Sequence, residues 1–345
     1  MVENYEGKIV FVGMDVHKKR YSVTCMIEKT VIKRATMKAS PKGLVEFFKK
    51  YFPGATLKSA YEAGFCGFSL HRYLVENGVD NIVVHPVSIE VSARDKVKTD
   101  KRDSLKIVTQ LADGRLKGIH IPSEEREAKR SITRLRENLM KSRKRAGNQL
   151  KSLLFSQGLI AAEDDKVVSK KWIGAILKYE YYPDIEYCIQ FYAKQWLGLQ
   201  EEIKEVDKRL EGQAKEDANL EAIYQSAPGI GSVHARQLAN ELGDMKQFSN
   251  EKKLYSFTGL TPSEHSSGEH TWKGHITHQG RSVLRKILTQ AAWLAIQKDP
   301  SLNAIFERIA KNAGKKRAII GIARRLIGRI RSCFLNGCLY EMGKA

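Results

Sequence analysis

The stretch VKTDKRDSLKI, Val97 to Ile107, sets Asp100 and Asp103 three residues apart in a run that also carries Lys98, Lys101, Arg102 and Lys106. Residues three apart on a helix share a face. Two readings follow. The charges form solvated ion pairs of little energetic weight, or the two carboxylates are hard oxygen ligands for a divalent cation. Two further acids bear on the choice: Asp15 closes the apolar run KIVFVGMD, and Glu62 lies at the end of LKSAYEA. In an open mixed sheet the carboxyl ends of neighbouring strands converge on one edge. Four carboxylates gathered there repel one another unless cations neutralise them. Two ions roughly 3.5–4 Å apart could activate an attacking oxygen and stabilise a leaving one at a phosphate. A second constellation lies in SEHSSGEH, where Ser266 and Ser267 are adjacent hydroxyl nucleophiles beside His265, Glu264, Glu269 and His270. A serine hydroxyl is weak at neutral pH and needs a base or a metal to act. His265, His270, His275 and His278 follow at spacings of five, five and three, which without cysteines is not a usual zinc site.

The elements that must position these groups are legible from periodicity. KIVFVGMD, YSVTCMIEK and TVIKRATMK read as three strands, the last two joined by a turn near Glu28–Lys29. In SPKGLVEFFKKYF, Ser40 is of a type preferred at the N-cap, Pro41 suits the first helical position, and Leu44, Val45, Phe47 and Phe48 form an apolar face. LKSAYEA reads as a strand, residues 66–76 as a helix, NGVD as a turn, NIVVHP as a strand, and the segment with Asp100 and Asp103 as a helix. The first three strands suit an antiparallel meander; strands joined through helices suit parallel pairing in the same sheet. Residues 123–155 predict a charged helix with Ile132, Leu135, Leu139, Leu150, Leu153 and Leu154 along one side, and 187–218 a second amphipathic helix. Together they suggest a helical pair or coiled coil between two domains. The expected division is 1–120, 121–218 and 219–345.

Later in the chain, Pro228-Gly229-Ile230-Gly231 separates two apolar helical segments. Glycines let the backbone turn tightly and bring N–H groups to a phosphate at the start of the next helix. Gly229 and Gly231 are therefore expected in a helix-hairpin-helix contact, which positions nucleic acid without reading its sequence. Thr261-Pro262 is expected to open a polar loop, and HQGRSVLRKIL a basic helix with Arg281 and Arg285. The tail NAGKKRAIIGIARRLIGRIRS sets Ile319, Ile322, Ala323, Leu326 and Ile330 among Arg324, Arg325, Arg329 and Arg331. It suits a packed helix with a basic side better than a membrane-surface helix.

The chain has 345 residues, 42% of them hydrophobic, and a net charge of +20. That length suits two or three domains, and that charge a polyanionic partner, nucleic acid first. No run reaches the roughly 18–20 apolar residues of a membrane span. The N-terminus lacks a signal-peptide layout, so a cytoplasmic, nucleoid-associated protein with no membrane partner is expected. The five cysteines, Cys25, Cys66, Cys188, Cys333 and Cys338, are scattered, which indicates neither a disulfide framework nor a cysteine zinc site.

The strand order and its acids resemble the RuvC-like branch of the ribonuclease H fold. More narrowly, GMDVHKKR, YEAGFCG and KTDKRDS look like the three acidic motifs of the DEDD transposases, the insertion-sequence recombinases that include the RNA-guided bridge recombinases and the related pilin-gene invertases. YEAGFCG departs from the family pattern in lacking the small hydroxyl residue after Glu-Ala. GLTPSEHSSG and HQGRSVLRKIL resemble the family's C-terminal transposase domain, with Gln279 where a lysine is frequent. The resemblance covers nearly the whole chain. It implies a RuvC-like α/β domain, a helical or coiled-coil linker and a mainly helical C-terminal domain. It implies Asp15, Glu62, Asp100 and Asp103 as catalytic ligands of Mg2+, with Mn2+ as a substitute, and Ser267 as nucleophile, with its neighbour Ser266 as rival. Lys98, Lys101, Arg102, Arg281, Arg285, Arg324 and Arg325 are expected on nucleic acid, with Gly229 and Gly231.

The function so implied is that of a DNA transposase or recombinase, joining target and donor DNA through a covalent serine–DNA intermediate. Its partners would be both DNAs, a structured non-coding guide RNA, and further copies of the chain in a dimer or tetramer. Base pairing would supply sequence choice while protein holds backbone and shape. A site-specific DNA invertase is a close alternative. Two rivals come from other classes: a RuvC-like junction-resolving nuclease that uses metal-activated water and no serine, and a non-catalytic nucleic-acid-binding protein that needs the basic faces but not the acids.

Overall fold

The computed structural model describes residues 4–90, 99–161, 167–267, 270–277 and 279–343, with the backbone alone for 265–267 and 270–273. The chain folds into two compact units, Met1–Pro122 and Ser123–Ala345.

The first unit is built on a five-stranded mixed sheet. β1 (Ile9–Val16), β2 (Arg20–Ile27) and β3 (Thr30–Lys38) form an antiparallel meander. β4 (Thr56–Glu62) and β5 (Asp80–Val84) add in parallel on the other side of β1, giving the order β3-β2-β1-β4-β5. Only two residues join β2 to β3, and Glu28 takes a positive φ of 51° to close that turn. The parallel strands need crossovers, which α1 (Pro41–Tyr51) and α2 (Ser69–Glu76) supply. α1 starts where Ser40 and Pro41 place it: the Ser40 hydroxyl accepts the Gly43 N–H at 3.1 Å. α2 begins three residues later than periodicity suggests, after a turn in which Gly67 holds φ +60°. The next helix, α3 (Asp100–Ala112), follows β5.

Strand alternation divides β1 between two faces. Val10, Val12 and Met14 enter a core with Leu44, Val45 and Phe48 of α1 and Leu70 and Leu74 of α2. Gly13 and Asp15 lie on the other face, with Ala60 of β4 and Ile107 of α3. Gly13 is what lets α3 reach the sheet. A Cβ there would overlap the α3 backbone at Ser104 and Val108. The buried hydroxyls of Thr24 and Ser104, 2.9 Å apart, tie β2 to the same turn. The first turn of α3, with Asp100 and Asp103, is thereby brought to the carboxyl end of β1.

The second unit begins with α4 (Glu124–Ser156), capped by Ser123, and continues through α5 (Lys170–Ile176) and α6 (Pro183–Glu216). Side chains pair Lys129 with Asp217, Arg136 with Asp207 and Arg143 with Gln200, so α4 and α6 run antiparallel. Leu150, Leu154, Ile173, Ile189 and Trp196 form the core at one end of this pair. Elsewhere the stripe expected along α4 is not apolar. Leu135 is 45% exposed, while Arg130 and Thr133 are buried. Arg130 lies against the end of a later helix and donates to the carbonyls of Asn240 and Glu241 at 3.2 and 2.7 Å. A helix C-terminus offers unpaired carbonyls, and a guanidinium satisfies them where leucine cannot.

The rest of the unit comprises α7 (Ala218–Ser226), α8 (Ser232–Leu242), α9 (Glu251–Thr258), α10 (Ser282–Lys298), α11 (Pro300–Ala313) and α12 (Lys315–Asn336) around one apolar core. The tail helix packs as its pattern predicts: Ile319, Ile322, Ala323, Leu326 and Ile330 are all buried. Residues 262–267 and 270–276, expected within a polar loop, pair as antiparallel strands β6 (Pro262–Ser267) and β7 (His270–Ile276). Neither strand shows the apolar alternation that would announce it; main-chain pairing, Pro262 with Ile276 through Ser267 with His270, defines it instead. Among the described residues no helix is long and apolar enough to cross a membrane.

Gly13→Ala is expected to lower the stability of the first unit by about 2–3 kcal/mol, because the added methyl meets backbone rather than a movable side chain. Urea unfolding followed by circular dichroism measures it. An unchanged midpoint would refute the close approach of α3 to β1.

Candidate active site and nucleic-acid groove

Three of the four acids singled out in the sequence come together at the carboxyl end of β1. Asp15 is partly buried there, and burial pushes its carboxyl above the usual range. The His17 imidazole pulls it back, while the nearby Asp100 and Asp103 push it further up. His17 Nε2 is 3.3 Å from Asp15 Oδ2 and 3.6 Å from Asp100 Oδ1. Arg20 Nε stands 4.0 Å from Asp100 Oδ2, and Lys106 Nζ 3.5 Å from Asp103 Oδ1. Glu62 ends β4 one step beyond the Met14–Tyr61 pair, on the strand beside Asp15, and is exposed. Asp15, His17 and Asp100 each offer a ligand atom, all within 4.8 Å of one another. Carboxylate oxygens and an imidazole, crowded enough to raise an acid's proton affinity, are a donor set that fits a divalent cation.

His17 is not among the residues singled out in the sequence. Its signal is nonetheless there. Strand alternation puts residues 15 and 17 on the same face, and the His17 N–H continues the β1–β2 ladder to the Arg20 carbonyl at 3.0 Å.

The basic residues expected on nucleic acid are scattered in role. Lys98 lies outside the described residues. Lys101 and Arg102 are on the first turn of α3, Lys101 and Arg102 both exposed. Arg281 precedes α10 and donates to Glu241 Oε1 at 2.8 Å. Arg285 is directed at the Gly259 and Gln279 carbonyls, 3.5 and 3.4 Å away. Arg324 lies over the Tyr255 ring at 4.7 Å, and Arg325 is exposed. Gly229 takes φ +81°, and a Cβ on it would overlap Ala291 of α10, so packing alone accounts for a glycine there. Gly231 begins α8 and faces open space. Ser267 closes β6, opposite His270 in register; its side chain, like Gly268 and His278, lies outside the described residues.

The second unit also holds a basic groove of about 890 Å3 that no sequence motif announces. Arg136, Lys141, Arg143, Lys144 and Lys151 of α4 and Lys286 of α10 line it, against one acid among the described residues, Glu137. The first turns of α8 and α10 contribute His234, Ser282 and Val283, and no described side chain caps either helix. Uncapped N–H groups and the positive end of the helix dipole both favour an anion. His234 senses the same field: burial lowers its proton affinity, and Arg136 and Lys286 lower it further.

Two family models match this chain. A DEDD transposase model of the IS110 type covers residues 12–156, which span the acidic site and α4. A model described as the IS116/IS110/IS902 transposase family covers 221–307, from α7 into α11. Among similar proteins, putative transposase y4qE of Sinorhizobium fredii is 28% identical over 233 residues, 68% of this chain and 57% of that relative. The chain thus spans little more than half the length of that protein. The transposase for insertion sequence element IS1533 of Leptospira borgpetersenii is 28% identical over 342 residues, 95% of this chain and 96% of the relative. The transposase for insertion sequence element IS1111A of Coxiella burnetii is 24% identical over 278 residues, 75% of this chain and 73% of the relative. With its acidic motifs on a mixed sheet and both transposase segments in sequence, the chain carries the transposase domains of the IS110/IS116 family of DEDD transposases.

Proposed function

We propose that this chain is the recombinase of its insertion sequence, joining target and donor DNA by phosphoryl transfer through a covalent bond to Ser267. The observation that carries the reading is the gathering of Asp15, Asp100 and Asp103 at the end of β1, where burial first, and the two neighbouring carboxylates after it, raise the proton affinity of Asp15. Asp15, Asp100, Asp103 and Glu62 would hold a divalent cation, Mg2+ by default, which when bound supplies charge for a phosphate and acidity for a hydroxyl. Ser267 Oγ would attack phosphorus and lose its proton, while a sugar oxygen leaves and takes one up. A sugar hydroxyl of the second DNA would then displace the serine. The family resemblance adds a structured guide RNA, and a dimer or tetramer in which acids and serine come from the same or different copies.

The groove between α4, α8 and α10 supports the nucleic-acid part of the reading, with cations in excess and two helix N-termini for phosphates. Gly231, at the start of α8, is the member of the proposed helix-hairpin-helix turn with room for a backbone contact. Lys101, Arg102 and Arg325, all exposed, would meet nucleic acid; Arg281, Arg285 and Arg324 would first leave the partners they have at Glu241, Gly259 and Tyr255.

Three outcomes check these assignments. Incubating the protein with guide RNA and cognate DNA, then denaturing, should trap a protein–DNA adduct that maps to Ser267. Ser267→Ala should lose the adduct and recombination but keep binding; cleavage by that variant at the normal rate would favour a water-using resolvase.

Nucleic-acid affinity should fall steeply with salt. The double variant Lys144→Glu, Lys286→Glu should weaken binding and flatten the log–log salt slope by about one for each phosphate no longer engaged. An unchanged slope in a filter-binding series would remove the groove from the interface.

The third outcome concerns Asp15. Folding raises its proton affinity, so its contribution to stability is present below its unfolded value and is lost as pH climbs through the raised folded one. At neutral pH without divalent cation, Asp15→Asn should therefore melt higher than wild type, by on the order of 3 °C. Mn2+ should raise the melting temperature of the wild type more than that of the variant. A lower melting temperature for the metal-free variant would contradict the like-charge crowding.

A further inference from the structure

We propose that His17 is itself a ligand of the divalent cation, making the centre a mixed imidazole–carboxylate site rather than an all-oxygen one. The inference rests on the metal-dependent reading above and names a residue outside the four acids.

The geometry is that of a shared ligand sphere. Two donors about 2.1 Å from one ion stand roughly 3.0 Å apart at a right angle and about 3.4 Å apart at the tetrahedral angle. His17 Nε2 stands 3.3 Å from an oxygen of Asp15 and 3.6 Å from an oxygen of Asp100. One nitrogen is therefore spaced for joint ligation with carboxylates from two separate elements, β1 and α3. The backbone is already set, because the His17 N–H is fixed to the Arg20 carbonyl and strand alternation turns the ring to the Asp15 face.

The competing role for His17 is a counter-ion that leaves when metal arrives. The neighbourhood gives each acid on α3 a permanent cation without it: Arg20 stands beside Asp100 and Lys106 beside Asp103. Unlike those two, an imidazole can offer a lone pair to a metal. The two roles differ in sign. Removing a counter-ion leaves metal affinity unchanged or raises it, whereas removing a ligand lowers it.

Ligation by nitrogen also predicts metal preference. Imidazole suits Fe2+, Ni2+ and Zn2+, whereas Mg2+, Ca2+ and Mn2+ are at home among oxygens, Mn2+ being the first of the transition series in which affinity for N/O sites rises. His17 would therefore tilt the centre toward transition ions, Mn2+ the least of them, without excluding Mg2+.

The test uses the full chain and Mn2+ alone, with no DNA and no turnover. Pulsed electron paramagnetic resonance of bound Mn2+ should show coupling to 14N in the wild type, replaced by the 15N pattern after histidine labelling and absent in His17→Ala. Calorimetry should find Mn2+ bound at least about tenfold more weakly by His17→Ala, since losing even an outer-sphere partner of a ligand costs roughly 10–100-fold, with Ca2+ affinity nearly unchanged. Asp15→Asn should weaken both ions. Nitrogen coupling that is missing from the wild type, or that survives in His17→Ala, would overturn the assignment while Asp15-dependent binding upholds the acidic centre. Mn2+ binding indifferent to Asp15→Asn would overturn both. Because His17 is half-exposed at a strand end, the variant should fold, and the wild-type spectrum decides the matter even if it does not.

Discussion

How closely α3 can approach β1 governs everything at the acidic edge. The carboxylates of Asp100 and Asp103 sit on the first turn of α3, and Asp15 sits two residues beyond Gly13 on β1. A side chain at position 13 would lift the helix from the sheet by the thickness of a methyl group and open the cluster. The same approach that draws the acids together also crowds like charges, which burial makes worse. Packing and electrostatics oppose each other there. Apolar burial of Ile107 and Val108 and the Thr24–Ser104 hydrogen bond hold the helix down, and the local cost is stored as a raised proton affinity at Asp15. The cluster is thus a donor set already in place, which is what the proposed metal reading requires.

Much of this is legible in the sequence because each element of the first unit announces itself locally. Apolar runs bounded by turns mark the strands. Ser40 and Pro41 mark the start of α1, and the chain order of strands and helices dictates the parallel pairing of β1, β4 and β5. Even the acids are readable, since the end of a strand and the start of a helix are recognisable places. His17 is less so, because nothing in GMDVHKKR shows that α3 will bring Asp100 to within 3.6 Å of its ring.

The second unit is less legible for a definite reason: its features depend on partners far away in the chain. Arg130 is buried on α4 because the end of α8, more than 100 residues later, offers it carbonyls. The β6–β7 pair has no hydrophobic face to give it a period of two, so its strands read as loop. Gly229 has the look of a phosphate contact in the sequence, yet its close approach to Ala291 of α10 by itself calls for a glycine. The basic groove collects residues from α4, α6, α8 and α10, and no window of sequence contains it.

The surplus of positive charge divides by residue type in a way composition hides. In the second unit several arginines are structural. Arg130 pairs with Glu241, Arg236 with Asp217 and Glu221, and Arg329 with Asp299, and each of these pairs is wholly or largely buried. Asp299 shows how complete such a pairing is: burial raises its proton affinity, but bonds from Tyr340, Ser301 and the chain at Gly343 and Leu302 more than offset that and hold it below the usual carboxylate range. The planar guanidinium, with five donors and weak hydration, suits these positions. Lysine, strongly hydrated and flexible, supplies Lys141, Lys144, Lys151 and Lys286 to the groove, beside Arg136 and Arg143, which also bond to Asp207 and Gln200 of α6. A net charge of +20 therefore overstates the arginine available to a polyanion. Removing an interior arginine strands a buried acid and costs stability; removing a groove lysine leaves the fold intact and costs only the field that a phosphate would feel.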